Sequence, residues 1–120
     1  MPHIRLEHSA DIKTKISPVL FDDLINILIK NAHVKSENCK CKVLEVKEYY
    51  LRSNKLKEEF IHLDIKILEG RSKQIINEIG EQSIKVLQLF FQADAKKYSL
   101  HYSIEIQEMK RSNYFTSNNI

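Results

Sequence analysis

The chain has 120 residues, 42% of them hydrophobic and 29% charged, the size and composition of one globular domain over residues 1–120 with one core and no room for a second. Two Gly and two Pro, with no stretch biased toward one residue type, exclude long linkers and low-complexity segments. The formal net charge is +3, but Lys and Arg alternate with Asp and Glu along most of the chain, so no cationic stripe suits a phosphate backbone and nucleic-acid binding is not expected.

The opening MPHIRLEHSAD carries charges at close intervals and no continuous apolar run. That pattern argues against a signal-peptide core or a membrane span and predicts a cytoplasmic protein. From His3 to His8 the residues alternate, Ile4 and Leu6 on one side and Arg5 and Glu7 on the other, as in a half-buried strand. Ser17-Pro18 then supplies an N-cap and a proline at the first helical position, and Asp22 and Asp23 are expected in the first turns, predicting a helix to about Asn31. Leu20, Leu24, Ile27 and Leu28 recur at helical spacing, and Phe21, Ile25 and Ile29 widen the stripe to suit packing on a sheet.

Cys39 to Lys47 reads as a second strand. Cys39 and Cys41 share a face there without disulfide geometry and read as reduced, half-buried small apolar residues. No second Cys pair follows, and His3, His8, His33, His62 and His101 are scattered, so no metal site is expected. Residues 49–57 read as irregular or as a short edge hairpin turning near Ser53-Asn54.

Phe60 to Ile67 alternates clearly and predicts a third strand. Gly70-Arg71-Ser72 ends it and caps a second helix, whose apolar stripe is Ile76, Ile79, Val86, Leu87 and Phe90, with Gly80 read as permitting close approach to the sheet. Leu100 to Gln107 predicts a fourth strand with Leu100, Tyr102, Ile104 and Ile106 facing inward.

The order β-α-β thus occurs twice, and His3-Ile4-Arg5-Leu6 matches His62-Leu63-Asp64-Ile65 in pattern, an internal pseudo-repeat. Each crossover makes its two strands parallel and places its helix on one face by the right-handed rule. The expected fold is α+β: two β-α-β units related by a pseudo-twofold, forming a four-stranded sheet with two helices on one face. The other face is left bare, and apolar residues at both strand parities, such as Cys41, Val43, Leu44 and Val46, point to its coverage by oligomerisation.

Several segments carry a resemblance in their order and spacing: Met1-Pro2-His3 and the strand ending Glu7-His8-Ser9-Ala10, FIHLDIKILEGRS from Phe60 to Ser72, the closing IEIQE, and Asn118-Asn119-Ile120. Together they resemble the 5-carboxymethyl-2-hydroxymuconate isomerase family, a branch of the tautomerase superfamily, over nearly the whole chain. The resemblance implies a tautomerase-like fold, a homotrimer and removal of Met1. It further implies an isomerase of aromatic catabolism whose substrate is a small carboxylate, with the secondary amine of Pro2 carrying a proton between carbons of a dienol and its ketone, without metal or organic cofactor.

Proline suits that task because the ring leaves the nitrogen lone pair few orientations to lose. An ordinary α-amino group titrates at roughly 7.7–8.0, so a base for neutral pH needs nearby cations. Lys40, Lys42 and Arg71 are the candidates. If strands one and three run antiparallel, the end of strand three brings Arg71 to Pro2, and strand two begins at the same end of the sheet. Arg71 at a helix start is placed to grip a substrate carboxylate bidentately. Relatives usually carry Arg-x-Arg where this chain has Lys40-Cys41-Lys42, which keeps the charge and loses the planar fork. Phe115, the aromatic of the tail, is a candidate pocket wall.

Ordinary readings stand beside these. Proline after an initiator Met is common, surface lysines are usually solvated, Arg71 has Glu69 as a neighbouring acid, and a terminal aromatic often packs at a subunit interface. The rival functions are a tautomerase for another 2-oxo acid and a trimeric binding protein that kept the fold and lost the activity.

Overall fold

The structure is a computed structural model that describes residues 2–52 and 57–119, so the turn expected near Ser53-Asn54 lies outside the described residues. Alternating sequence becomes four strands, β1 (His3–Ser9), β2 (Lys40–Val46), β3 (Glu58–Leu68) and β4 (Ser99–Met109). Helical periodicity becomes α1 (Pro18–Ala32) and α2 (Lys73–Phe90), followed by the single turn α3 (Gln92–Ala95).

The strands form one sheet in the order β2-β1-β3-β4. β1 is parallel to β2 and β3 to β4, as crossovers through α1 and α2 require, while β1 and β3 are antiparallel. Ile4 faces Ile65 and Leu6 faces Leu63 across that central pair, which relates the two β-α-β halves by a pseudo-twofold. The α+β architecture, with both main helices on one face, is the one the periodicity predicts.

Ile4, Leu6, Ile61, Leu63, Ile65 and Ile67 line the covered face and are essentially inaccessible, as are Leu20, Leu24 and Leu28 of α1 and Ile79 and Leu87 of α2. Burying each such side chain stabilises the fold by about 1.5–3 kcal/mol before ordering costs. Leu100, Tyr102, Ile104 and Ile106 of the edge strand β4 pack half-buried against this core.

The boundaries differ from expectation in physically readable ways. β3 starts at Glu58 rather than Phe60 because Glu58 and Glu59 pair with Ser99 and Leu100 of β4. Ser17 occupies the N-cap position of α1 without a side-chain bond, and Asp22 and Asp23 lie beyond the first turn, which contains no acid. In α2 the cap is formed, Ser72 Oγ accepting from Ile75 N at 3.2 Å. Gly70 ends β3 at φ 119°, a conformation that favours glycine. The close approach expected at Gly80 is ordinary spacing, since an added Cβ would lie 3.7 Å from Ile106 Cδ1. Phe91, rather than Phe90, is the aromatic buried in the core at the end of α2.

The second face of the sheet carries His3, Arg5 and Glu7 of β1, with Lys40 and Lys42 of β2 and His62, Asp64 and Lys66 of β3 in register beside them. It is polar and uncovered within the chain. Among the described residues, no helix is long and apolar enough to cross a membrane.

This topology brings four chain segments to one end of the sheet. β1 and β2 begin there, β3 and β4 finish there, and the ends are tied by Lys40 N donating to Pro2 O at 3.0 Å and Glu69 N donating to Met109 O at 2.9 Å.

Candidate active site

Pro2 immediately precedes β1 and is buried. It lies in the wall of a cavity of about 240 Å³ at that shared end of the sheet. The apolar part of the lining is Val34, Ile67 and Leu68; the cations are Lys35, Arg71 and Arg111; His33 and Asn38 complete it, and among the described residues no carboxylate lines it. Such a lining attracts an anion and opposes protonation of an amine in its wall.

Each cation is held by the local fold. His33 closes α1 in the left-handed region at φ 55°, its N–H donating to Ile29 O, and this turns the chain so that Lys35 follows at the cavity. Arg111 opens the short 3-10 turn after β4; its backbone N–H donates to Glu69 Oε2 at 2.7 Å. Arg71 donates from Nη1 to Leu68 O and from Nη2 to Ala32 O, both at 2.8 Å. Ala32 is the last residue of α1, so the guanidinium caps a helix carbonyl that has no intrahelical partner.

Two of the five Arg71 N–H groups are therefore committed to the backbone, and three remain for a ligand. The guanidinium is thereby a fixed cation with fewer free donors for the bidentate grip expected from the sequence. Among the described residues Arg71 forms no ion pair with Glu69, whose carboxylate instead accepts from the backbone of Arg111.

The other expected site residues are placed elsewhere within the chain. Lys40 is exposed and pairs in register with His3, beside the Pro2 cavity without lining it. Lys42 opens onto a second cavity on the uncovered sheet face. Phe115 is 87% exposed and lines neither cavity. A single chain thus brings together Pro2 and Arg71 at the cavity; Lys40 is tied to Pro2 through its backbone N–H without lining the cavity, and Lys42 and Phe115 do not line it either. Lys35 and Arg111 were not expected from the sequence, although both follow from topology: a residue before β2 or after β4 must fall at the end where β1 begins.

The second cavity, about 270 Å³, is bounded by His3, Arg5, Lys42, Asp64, Lys66, Met109 and Tyr114. Arg5 Nη2 donates to Asp64 Oδ2 at 2.6 Å, and its Nε lies 3.3 Å from Glu7 Oε1. His62 bridges Ser103 Oγ at 2.6 Å and Asp64 Oδ1 at 3.1 Å. Burial pushes the Asp64 carboxyl up, but the hydrogen bonds from Arg5 and His62 outweigh it and hold the group below the usual carboxylate range. Burial, with Lys42, Lys66 and Lys40 nearby, lowers His3 below its ordinary value.

His62, Asp64 and Glu105 place one ligand-type atom each within 4.8 Å of one another. Arg5 already occupies Asp64 with a full positive charge, so the group reads as an ion-pair network rather than a cation site. Cys39 and Cys41 are free thiols, both half-buried. Burial, followed by Cys39 and Asp22, pushes Cys41 up to about 11, which disfavours the thiolate at neutral pH.

Comparison with known proteins follows the same line. Residues 2–120 match the family model described as 5-carboxymethyl-2-hydroxymuconate isomerase. No significant match is found among curated proteins. A crystal structure of a 5-carboxymethyl-2-hydroxymuconate isomerase from Deinococcus radiodurans R1 is 27% identical, with 98% of this chain and 90% of that chain covered and a TM-score of 0.84. A structure described as a 5-carboxymethyl-2-hydroxymuconate delta-isomerase shares the fold at 11% identity, covering 98% of this chain and 87% of that one with a TM-score of 0.75. A symmetric trimer of wild-type fused 4-OT does so at 7% identity, covering 98% and 94%, with a TM-score of 0.76.

Proposed function

Because this chain belongs to the 5-carboxymethyl-2-hydroxymuconate isomerase family, we propose that it is an isomerase that moves a proton on an enol or dienol (di)carboxylate, with the amino-terminal nitrogen of Pro2 as the base. The observation that carries the reading is the position of Pro2 in a cavity whose charged lining is cationic throughout.

With Met1 attached, the Pro2 nitrogen is an amide and has no basicity. Removal of Met1 exposes a secondary amine facing Lys35, Arg71 and Arg111. These cations depress its pKa from the roughly 7.7–8.0 of an ordinary chain terminus, so a larger fraction is free base at neutral pH. The substrate carboxylate sits against Arg111 and Lys35, with Arg71 as the fixed charge. The amine takes the proton of the enol hydroxyl, the electron pair shifts through the conjugated chain, and the same nitrogen returns the proton at a distal carbon to give the ketone. Negative charge develops on the dienolate oxygen next to the cations, which stabilise it more than the neutral enol. The transfer is redox-neutral and needs only this base and these charges.

Assembly as a cytoplasmic homotrimer is part of the same proposal. The uncovered polar face and the unpaired outer edges of β2 and β4 support it, as does the trimeric neighbour of the same fold. A neighbouring copy is then the route by which Lys40, Lys42 or Phe115 reaches a site that one chain does not give them. The loss of planar forks at Lys40 and Lys42, together with the backbone duty of Arg71, favours a substrate with less demanding carboxylate geometry than a symmetric dicarboxylate.

The test combines intact mass with turnover. The native protein should begin at Pro2, catalyse ketonisation of a simple enol acid, and lose that activity when the amine is chemically blocked. A protein with retained Met1 and no turnover is the trimeric binding protein instead. Light scattering that returns a monomer mass at micromolar concentration removes the trimer.

A further inference from the structure

The 3-10 turn Ser36–Asn38 leads into β2 and is tied to the base itself. Asn38 N donates to Lys35 O at 3.0 Å and Cys39 N to Ser36 O at 3.1 Å, which closes the turn, and Lys40 N then donates to Pro2 O at 3.0 Å. Asn38 is half-buried and lines the Pro2 cavity. Asn38 and Pro2 belong to one chain and one hydrogen-bonded unit, so assembly adds groups around them without supplying or removing the pair.

The proton relay makes a demand that the cations of this wall do not meet. When the Pro2 amine takes the enol proton it becomes a secondary ammonium with two N–H groups; one carries the proton on to carbon and the other stays on nitrogen. Lys35, Arg71 and Arg111 hold donors and no acceptor, and their charge disfavours the ammonium. A base depressed too far gives up a proton easily and takes one poorly, so the relay needs an acceptor that favours the charged form. Two side chains of the lining offer one, the Asn38 amide and the His33 imidazole. His33 is exposed, and an imidazole has no acceptor once it is protonated. The Asn38 amide is half-buried, does not titrate and keeps its acceptor at every pH.

We propose that Asn38 is the hydrogen-bond acceptor for protonated Pro2: its side-chain carbonyl takes the N–H that stays on nitrogen while the other N–H delivers its proton to carbon. The role in turnover rests on the isomerase reading of Pro2; the contact with the protonated amine does not. No bond to Asn38 forms or breaks, and no proton passes to it. It favours the charged intermediate rather than the bound substrate, and so acts on kcat more than on KM. The charged groups that surround Pro2 are Lys35 after α1, Arg71 at the β3–α2 junction, Arg111 after β4 and Lys40 at the start of β2. His33 in the cavity, His3 next in the chain and the Cys39 thiol beside Lys40 are the titratable neighbours. The cations oppose the ammonium, and Asn38 offsets part of their effect.

The experiment titrates the protein that begins at Pro2, with its proline nitrogens isotope-labelled, by NMR and without substrate; the other proline, Pro18, has an amide nitrogen and does not titrate. Asn38→Leu, of similar size and without an acceptor, should lower the Pro2 pKa by about one pH unit, the loss of a hydrogen bond to a charged group. Asn38→Asp, of the same shape and with a full negative charge, should raise it. In the activity arm, Asn38→Leu should move the acidic limb of the pH–rate profile to lower pH and reduce kcat roughly tenfold, with KM close to wild type. A side chain that only holds the turn would change stability and leave the Pro2 pKa where it is. The proposal is overturned if both variants keep the wild-type Pro2 pKa, or if Asn38→Leu raises KM alone, which makes Asn38 a contact of the substrate. It is also overturned if His33→Gln lowers the Pro2 pKa and Asn38→Leu does not. A protein that shows both pKa shifts and turns over no enol acid defeats the isomerase reading and leaves the Asn38 contact standing.

Discussion

Arg71 Nη2 reaches Ala32 O at 2.8 Å, joining the β3–α2 junction of the second β-α-β unit to the last carbonyl of the helix in the first. With Nη1 on Leu68 O it makes the guanidinium a clasp between α1 and the end of β3, and the clasp forms part of the wall in which Pro2 lies. Removing it should therefore move two readouts together. Arg71→Ala should lower unfolding free energy by about 2 kcal/mol, the scale of charged hydrogen bonds to partly buried carbonyls, and should also raise KM. Arg71→Lys should recover part of the charge effect and little of the clasp. Lys40→Ala, at an exposed strand position, should leave thermal stability unchanged and cost less in KM than Arg71→Ala. Paired thermal melts and steady-state kinetics check this, and an Arg71→Ala protein with wild-type KM removes Arg71 from the site.

Replacing Pro2 by Ala keeps an amine at the terminus and makes it primary and less restrained. Turnover should fall by roughly 10²–10⁴-fold, the range of a positioned acid–base group, with secondary structure and assembly unchanged. Arg111→Ala should instead act on KM and on the acidic limb of the pH–rate profile, because Arg111 is exposed at the cavity, its backbone N–H holds the Glu69 carboxylate, and its guanidinium adds only a long 3.4 Å hydrogen bond from Nη2 to Glu69 O. Wild-type turnover in Pro2→Ala would require another base.

The fold was legible because its signals are periodic. Ile4/Leu6 and Ile61/Leu63/Ile65/Ile67 alternate, Leu20/Leu24/Leu28 repeat at helical spacing, and together they fix which side of each element is buried. The approach of Arg71 to Pro2 followed from one further step, the antiparallel β1/β3 pair. What periodicity does not encode is where a long side chain ends. The Arg71 clasp depends on how the last turn of α1 lies over the sheet end, and Lys35 and Arg111 sit in connections that carry no repeat at all. The His62 contact with Ser103 needs the register of β3 against β4, which alternation leaves free by steps of two.

Two substitutions in α2 should stabilise the protein or leave it unchanged. A Cβ at position 80 meets Ile106 Cδ1 at 3.7 Å, an ordinary contact, so Gly80→Ala should gain about 0.5–1 kcal/mol by reducing the freedom of the unfolded chain. Ser83 is fully buried with its hydroxyl unpartnered among the described residues, so Ser83→Ala removes an unsatisfied donor at little cost in volume. Denaturant melts of each variant read the effect; a loss of more than about 1 kcal/mol at position 80 would mean that α2 packs too tightly on β4 for a Cβ, and at position 83 that the hydroxyl has a hydrogen-bond partner.

Acid should destabilise the protein in two separable stages, both traceable to the uncovered sheet face. His3 is lowered from its ordinary value of 6.5, by burial first and by Lys42, Lys66 and Lys40 after it. The unfolded chain therefore binds a proton there more readily than the folded one, so the stability this supplies is complete above 6.5 and declines as pH falls from 6.5 toward the folded value. Asp64 is lowered from 3.8 in the folded state, the hydrogen bonds from Arg5 and His62 outweighing its burial. Its contribution is complete above 3.8 and is lost only as pH falls through the lower folded value. Stability measured against pH should thus fall on an upper limb just below 6.5 and again on a lower limb below 3.8. His3→Gln should flatten the upper limb and leave the lower one, and Arg5→Gln should flatten the lower limb and leave the upper one. Denaturant unfolding across the range from neutral to acid pH separates the two, and an upper limb that survives in His3→Gln would assign that stage to another group.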